Sequence, residues 1–361
     1  MPRTFDIAVI EGDGIGPEVT REAIRSVEAA AALDDAAFEW NSYPWGTDHF
    51  FEHGQMAPDD FLDTLAKHDA ILLGAVGHPD VQDHLTLNGL LLPIRRQFDQ
   101  CVCLRPSYLY DGVESPLRDK APGSIDIQVF RENTEGEYAN VGGRLYADRP
   151  HDVAIQTSVF TRHGCRRIIQ AAFEKATARP ARQVASITKS NAQGYGMVLW
   201  DEVFEEVASG FPDIQTESLL IDRAVMEFVR RPESFDVVVA SNLFGDILTD
   251  LAAIVVGSMG LAASANIDPT RTHPSMFEPV HGSAPDIVGQ GIANPLAAIL
   301  SAAMMLEHLE LPRAAVAING AVKAQLSDRG PRTPDLGGNA TTQETGEAIA
   351  ARIASSSEAT G

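Results

Sequence analysis

Short apolar runs that give way to helix-spaced segments recur along this chain, and that alternation restricts its fold more than any other feature. Phe5-Asp6-Ile7-Ala8-Val9-Ile10 leads into an amphipathic stretch reaching about residue 32. Residues 70–77, 101–106, 125–130, 184–188, 217–222 and 237–240 are further strand-like runs. Helical spacing fills 83–95, 161–179, 203–211, 224–230 and 294–309, and a last loop and helix cover 333–347. A short apolar run bounded by turn residues reads as a buried strand, and strands alternating with helices define the α/β class. No internal repeat, low-complexity tract or linker breaks the pattern. A chain of 361 residues can bury a large core, with two domains as the default expectation. Residues 355–361 are expected to fray.

The most informative unit is Val237-Val238-Val239-Ala240 followed by SNLFGDILTD at 241–250. Asn242 stands where a helix N-cap is expected, and Phe244, Ile247, Leu248 and Leu251 recur at helical spacing. Asp246 and Asp250 are i and i+4, so they share one face, where two like charges cost an isolated helix about 0.2–0.5 kcal/mol. No lysine or arginine of that helix offsets them. A hard divalent cation would, since it prefers carboxylate oxygens; a solvated acidic face is the plainer alternative.

Charge narrows the partners. The net charge is −22, which argues against nucleic acid and anionic membranes. No apolar run is long enough to span a bilayer, and MPRTFDIAVIEGDG lacks a signal-peptide profile, so the expected location is cytoplasmic. Lysine occurs only at Lys67, Lys120, Lys175, Lys189 and Lys323. Abundant acids with scarce lysine suggest adaptation to high salt, where screening removes self-repulsion. Cys101, Cys103 and Cys165 have neither metal-ligand spacing nor the even count of a disulfide framework.

Several cations stand near element ends. Arg95 and Arg96 lie late in the 83–95 segment, where Pro93 marks a kink. Arg105 is held extended by Pro106, and the 125–130 strand delivers Arg131. Each arginine alone reads as a surface ion pair, which is worth little. Three that converged would make a polycarboxylate pocket, because guanidinium meets carboxylate in a bidentate fork. Lys189 ends a strand, where it is either a snorkelling amine or part of a site. Residues 139–156 contain Gly142-Gly143 and an alternating 152–155 run, which fits a hairpin arm at a subunit contact. The turn Gly12-Asp13-Gly14-Ile15-Gly16-Pro17-Glu18 is not the dinucleotide fingerprint, since Pro17 replaces its third glycine.

Taken together, EGDGIGPE at 11–18, RENTEGEY at 131–138, SNLFGDILTDL at 241–251 and FEPVHGSAPDI at 277–287 resemble the β-decarboxylating dehydrogenases of the isopropylmalate/isocitrate dehydrogenase type. The resemblance runs from Ile7 to about Ile353. WGTD at 45–48, EHG at 52–54, Asp83-His84, FDQ at 98–100 and TKSN at 188–191 look most like the D-malate/tartrate branch. One departure concerns the substrate: that branch usually carries tryptophan where this chain has Asn88.

The resemblance implies two interleaved α/β domains, not a Rossmann fold: residues 1–103 and 260–361 forming a large, cofactor-side domain, and 104–259 a small one with the arm and the metal-site helix. It implies a homodimer with shared active sites. Arg95, Arg105 and Arg131 match the substrate-carboxylate clamp, with Asn88 and Leu91 near the variable group. Asp246 and Asp250 match ligands of Mg²⁺ or Mn²⁺, joined by Asp222 from the second subunit. Lys189, also from the second subunit, matches the general base and Tyr138 the acid that protonates the enol. Glu278, His281, Gly282, Ser283, Ala284, Asp286 and Asn294 match the NAD site, and Gly14 is expected to border it. A carboxylate at Asp286 suits a ribose with free hydroxyls and would repel a 2′-phosphate. Potassium is a further candidate cofactor.

The implied reaction is NAD-dependent oxidative decarboxylation of D-malate, tartrate or both. A 3-isopropylmalate substrate would need an apolar pocket, which Leu91 and Leu92 could supply; an isocitrate-type substrate would use Asn88 or Thr86 for its extra carboxylate. A silent dicarboxylate- or nucleotide-binding paralogue would lack Lys189, Tyr138 or a metal aspartate, and all are present. A metal-dependent lyase would form product without NAD.

Overall fold

The computed structural model describes residues 2–358. Twelve strands are described: β1 (Arg3–Gly12), β2 (Ala36–Ser42), β3 (Ala70–Ala75), β4 (Val102–Tyr108), β5 (Asp126–Glu132), β6 (Gly142–Leu145), β7 (Val153–Gln156), β8 (Gln183–Thr188), β9 (Gln215–Leu220), β10 (Val237–Ala240), β11 (Ala263–Ile267) and β12 (Ser275–Pro279). Ten form one sheet, in the order β2-β1-β3-β12-β11-β4-β5-β10-β8-β9. Its two flanks are parallel, and antiparallel pairings of β12 with β11, β11 with β4, and β4 with β5 join them. Parallel strands are covered on both faces, which is why β10 reads Val-Val-Val-Ala without alternation and is buried throughout.

The apolar residues gather into three cores. One is drawn from residues 101–256 and includes Phe173, Trp200 and Phe228. Another packs helix Gly16–Ala30 against helices Leu296–His308, Pro312–Ser327 and Thr342–Glu358. A smaller one lies on the other face of β1 and β3 and holds Ile10, Leu73, Leu90 and Phe98. Each fully buried large apolar side chain contributes about 1.5–3 kcal/mol relative to exposure. Trp200 can be fully buried because its indole N–H donates to Ser186 Oγ at 2.9 Å.

The glycine turn after β1 packs on its own chain. A Cβ at Gly14, whose φ is +61°, would stand 2.1 Å from the carbonyl oxygen of Ser283, and Ile15 N donates to that same oxygen at 3.0 Å. The turn thus fixes the 281–286 loop against β1. Asp13 fastens the neighbouring loops, accepting from Thr47 N and Gly77 N, both at 2.7 Å.

Several elements differ from the sequence reading. Ser241, not Asn242, precedes helix Asn242–Val255, because the Asn242 side chain is engaged by Arg131. Strand β12 covers Ser275–Pro279, where no strand was anticipated. Helix Pro312–Ser327 was not anticipated. The terminal helix Thr342–Glu358 runs past the point of expected fraying; the rest of that tail, residues 359–361, lies outside the described residues. Strands β6 and β7 form a separate antiparallel hairpin, every residue exposed, as the 139–156 reading anticipated. Among the described residues no helix is long and apolar enough to cross a membrane.

Candidate active site

Strands β4 and β5 place two guanidinium groups side by side. Their antiparallel register sets Arg105 opposite Val129 and Cys103 opposite Arg131, so Arg105 and Arg131 are diagonal neighbours on one face. Arg95 reaches the same cleft from helix Leu92–Gln97, and Tyr138 from the segment after β5. All three arginines are buried. Three buried guanidiniums require anions, and helix Asn242–Val255 supplies one in Asp246.

Asp246 is the hub. Arg105 Nη1 donates to its Oδ1 at 3.0 Å, Arg131 Nη1 donates to the same oxygen, and the Tyr138 hydroxyl donates to Oδ2 at 2.8 Å. Arg105 also donates to Thr249 Oγ1 at 2.7 Å, and Arg131 Nη2 to Asn242 Oδ1 at 2.7 Å. The stem of Arg131 crosses the helix at Gly245, where a Cβ would stand 2.6 Å from Arg131 Cγ. Burial works to raise the Asp246 carboxyl, but Arg131 and Arg105 overcome it and hold it below the usual range. One turn on, exposed Asp250 accepts no hydrogen bond among the described residues. Neighbouring protein atoms partly desolvate its carboxyl, and with the Asp246 charge this raises it. Burial and the Asp246 charge also raise the Tyr138 phenol, so it keeps its proton.

Arg95 belongs to a second buried network. Its Nη2 donates to Glu278 Oε1 at 2.6 Å, and Asn266 Nδ2 donates to that oxygen at 2.8 Å. Asn133 Nδ2 in turn donates to Asn266 Oδ1 at 2.9 Å. Asn133, Asn266 and Thr249 were not singled out from the sequence. Asn133 stands inside RENTEGEY, which was signal enough; Asn266 and Thr249 carry none without the sheet register.

The apolar wall of the cleft comes from Leu87, Leu91 and Leu92. Leu87–Leu91 is a π-helical turn between Asp83–Thr86 and Leu92–Gln97, in place of a simple kink at Pro93. Such turns rotate side chains out of α-helical register and occur often at functional sites. Here Leu87 faces the cleft. Asn88, expected beside the substrate, is exposed, does not line the cleft, and donates to the His84 carbonyl at 2.8 Å.

His281 and Gly282 line the arginine cleft, while Ser283, Ala284 and Pro285 line an adjoining cavity with Gly77 and His78. Asp286 is exposed nearby. Burial lowers the His281 imidazole, leaving it neutral. Asn294 is committed to its own chain: it donates to Asp335 Oδ2 at 2.9 Å and accepts from Leu296 N at 3.0 Å. Lys189 and Asp222 do not line the cleft. Lys189 follows β8, Asp222 opens helix Ile221–Arg230, and the two pair with each other. Among the described residues no three His, Cys, Asp or Glu side chains gather as a metal-binding group.

Comparison with known proteins gives the family. A profile described as isocitrate/isopropylmalate dehydrogenase matches residues 6–349. The chain belongs to that family. It is 50% identical over 355 residues to a D-malate dehydrogenase (decarboxylating) of Escherichia coli strain K12, covering 97% of this chain and 98% of that one. It is 47% identical over 363 residues to a tartrate dehydrogenase/decarboxylase of Pseudomonas putida, covering 98% and 99%. The crystal structure of isocitrate dehydrogenase from Methylococcus capsulatus superimposes with a TM-score of 0.88 at 34% identity, covering 97% and 99%. The fold is therefore that of this family and not a Rossmann fold.

Proposed function

We propose that the protein oxidatively decarboxylates a small 2-hydroxy dicarboxylate, D-malate or tartrate, with NAD as acceptor. One observation carries the reading: Arg95, Arg105 and Arg131 meet Tyr138 and a metal-type carboxylate in a single cleft. Relatives named D-malate and tartrate dehydrogenases support the substrate class.

Asp246 and Asp250 offer hard oxygen donors one helical turn apart, and the Asp250 carboxyl accepts no hydrogen bond among the described residues, which fits Mg²⁺ or Mn²⁺. Asp222 of a second copy would complete the set. When bound, such an ion supplies Lewis-acid polarisation of the substrate's oxygens. The arginines bind and orient the carboxylates through charge-assisted forks. Lys189 of the second copy takes the C2 hydroxyl proton. Tyr138, kept protonated, returns a proton to the enol carbon. The 281–286 loop holds NAD, with Glu278 positioning Arg95. Potassium remains a candidate activator.

Exposed apolar side chains support the homodimer on which this reading depends. Met226, Val229, Ile247 and Ile254 expose apolar side chains on the two helices that carry the metal aspartates. Leu145, Val153 and Ile155 do so on the β6–β7 arm. On this reading the core built from residues 101–256 is the smaller of two domains, bounded near 104 and 259.

A second reading, 3-isopropylmalate, draws on the apolar wall of Leu87, Leu91 and Leu92 with Asn88 turned away. Initial rates of NADH formation with Mn²⁺ and potassium, comparing D-malate, L-tartrate and 3-isopropylmalate, decide between them. Preference for D-malate or tartrate in kcat/KM supports the proposal, and preference for 3-isopropylmalate replaces it.

A further inference from the structure

A second cavity lies directly behind the arginine cleft. Strand side chains alternate between faces. β4 and β5 therefore present Arg105 and Arg131 on one side, and Pro106, Tyr108, Asp126 and Gln128 on the other. The rear cavity is ≈ 210 Å³. Leu261, Ala263, Leu300 and Met304 make its apolar floor, and Asn319 and Lys323 of helix Pro312–Ser327 stand at its rim.

Its ammonium and its two phenols have no ion-pair or hydrogen-bond partner among the described residues. Lys323 is one of five lysines in a chain with 50 acidic residues, yet it joins no ion pair among the described residues. Its ammonium rests 4.9 Å over the Tyr108 ring. Tyr108 meets Tyr110 edge to face at 4.9 Å, and neither phenol makes a hydrogen bond within the described chain. Burial, with Tyr108 and Asp126 adding to it, pushes the Tyr110 phenol upward, so it stays a neutral donor. The one carboxylate in the lining, Asp126, is compensated by Arg179 at 3.2 Å.

One unpaired ammonium and two free phenols over an apolar floor are complementary to an anion with a non-polar body. A single cation in the lining favours one negative charge over two. The volume lies below the roughly 300–1,000 Å³ of drug-sized pockets, which restricts the occupant to a small molecule. We propose that this rear cavity is a binding site for a short organic monocarboxylate. Lys323 and the tyrosine hydroxyls take its carboxylate, and Leu261, Leu300 and Met304 its carbon chain. A ligand there braces the two strands that carry Arg105 and Arg131.

The test is a methyl-NMR titration of the full chain with butyrate, following Met304 in the rear cavity and Leu87 and Leu91 in the front cleft. Met304 is assigned from a Met304→Leu variant. The Met304 methyl should shift saturably while the front-cleft leucines do not. Lys323→Met, at an exposed position, should weaken binding about tenfold, the loss of one charge-assisted hydrogen bond. Tyr110→Phe, which removes only a hydroxyl, should weaken it less. Shifts confined to Leu87 and Leu91, no saturable shift, or unchanged affinity in Lys323→Met would each overturn the proposal.

Discussion

The Asp246 cluster and the Lys189–Asp222 pair hold the same kinds of groups in opposite physical states. In the cleft, two buried guanidiniums and a phenol converge on one carboxylate, and Thr249 and Asn242 take further donors. Desolvation makes that arrangement tightly coupled: once one member is removed, its partners keep their charge in a buried site with fewer hydrogen bonds. Lys189 and Asp222 form a pair with a largely exposed carboxylate, of the kind that contributes little to stability. The cleft cluster is complete within one chain. The pair reads as half of a site whose other half lies elsewhere, and the shared-dimer proposal supplies that other half.

The sharpest break would come from activity. Lys189→Met should lower the rate of oxidation by roughly 10²–10⁴, the range of general acid–base catalysis, with no change in Tm. It should leave decarboxylation of supplied oxaloacetate partly intact, since that half-reaction does not need the base. Mixing Lys189→Met with Tyr138→Phe subunits, after dissociation and reassembly, should recover part of the oxidation rate, because a mixed dimer holds one intact site. No recovery would mean that each chain builds its site alone.

Stability should show the reverse contrast. Arg131→Leu leaves Asn242 Oδ1 without its donor and Asp246 with only Arg105 and Tyr138, and truncating one partner of a buried pair costs about 3–5 kcal/mol by chemical denaturation. Asp222→Asn should leave the denaturation midpoint unmoved. A comparable loss in both variants would remove the distinction between the two regions.

Specificity tests the apolar wall on a smaller scale. Leu91→Ser should shift the kcat/KM ratio between 3-isopropylmalate and D-malate by roughly tenfold towards D-malate, the effect of about one methylene group's worth of pocket contact. Asn88→Ala should leave that ratio unchanged, because its amide serves the His84 carbonyl. A large shift from Asn88→Ala would return Asn88 to the substrate.

What could be read in advance follows from range of interaction. The strand β10, the Asp246–Asp250 spacing and the helical spacing that became helix Arg162–Thr177 depend on neighbours in sequence, and they were legible. The convergence of Arg95 on Glu278 spans 183 positions, and that of Arg131 on Asp246 spans 115. Spacing alone could not supply either; the family resemblance named the arginines, and the β4–β5 register explains why they meet. Asn88 was placed beside the substrate by the resemblance, while in this chain the π turn brings Leu87 to the cleft and sets the Asn88 amide on the His84 carbonyl, an arrangement that spacing could not show. Strand β12 was missed because Glu278 and Pro279 look like loop residues until Arg95 and Asn266 partner the carboxylate.

Salt gives the smallest and most general contrast. With a net charge of −22, the folded chain repels itself, and screening should relieve that strain. Raising potassium chloride from low to molar concentration should raise Tm, at roughly 1–1.5 °C for each kcal/mol recovered in a chain of this length. The same salt weakens the exposed Lys189–Asp222 pair and barely touches the buried arginine cluster. Stability should therefore rise with salt in wild type and in Asp222→Asn alike. A Tm that stays flat or falls would mean that the surplus acids are already compensated locally, and the high-salt reading of the composition would be withdrawn.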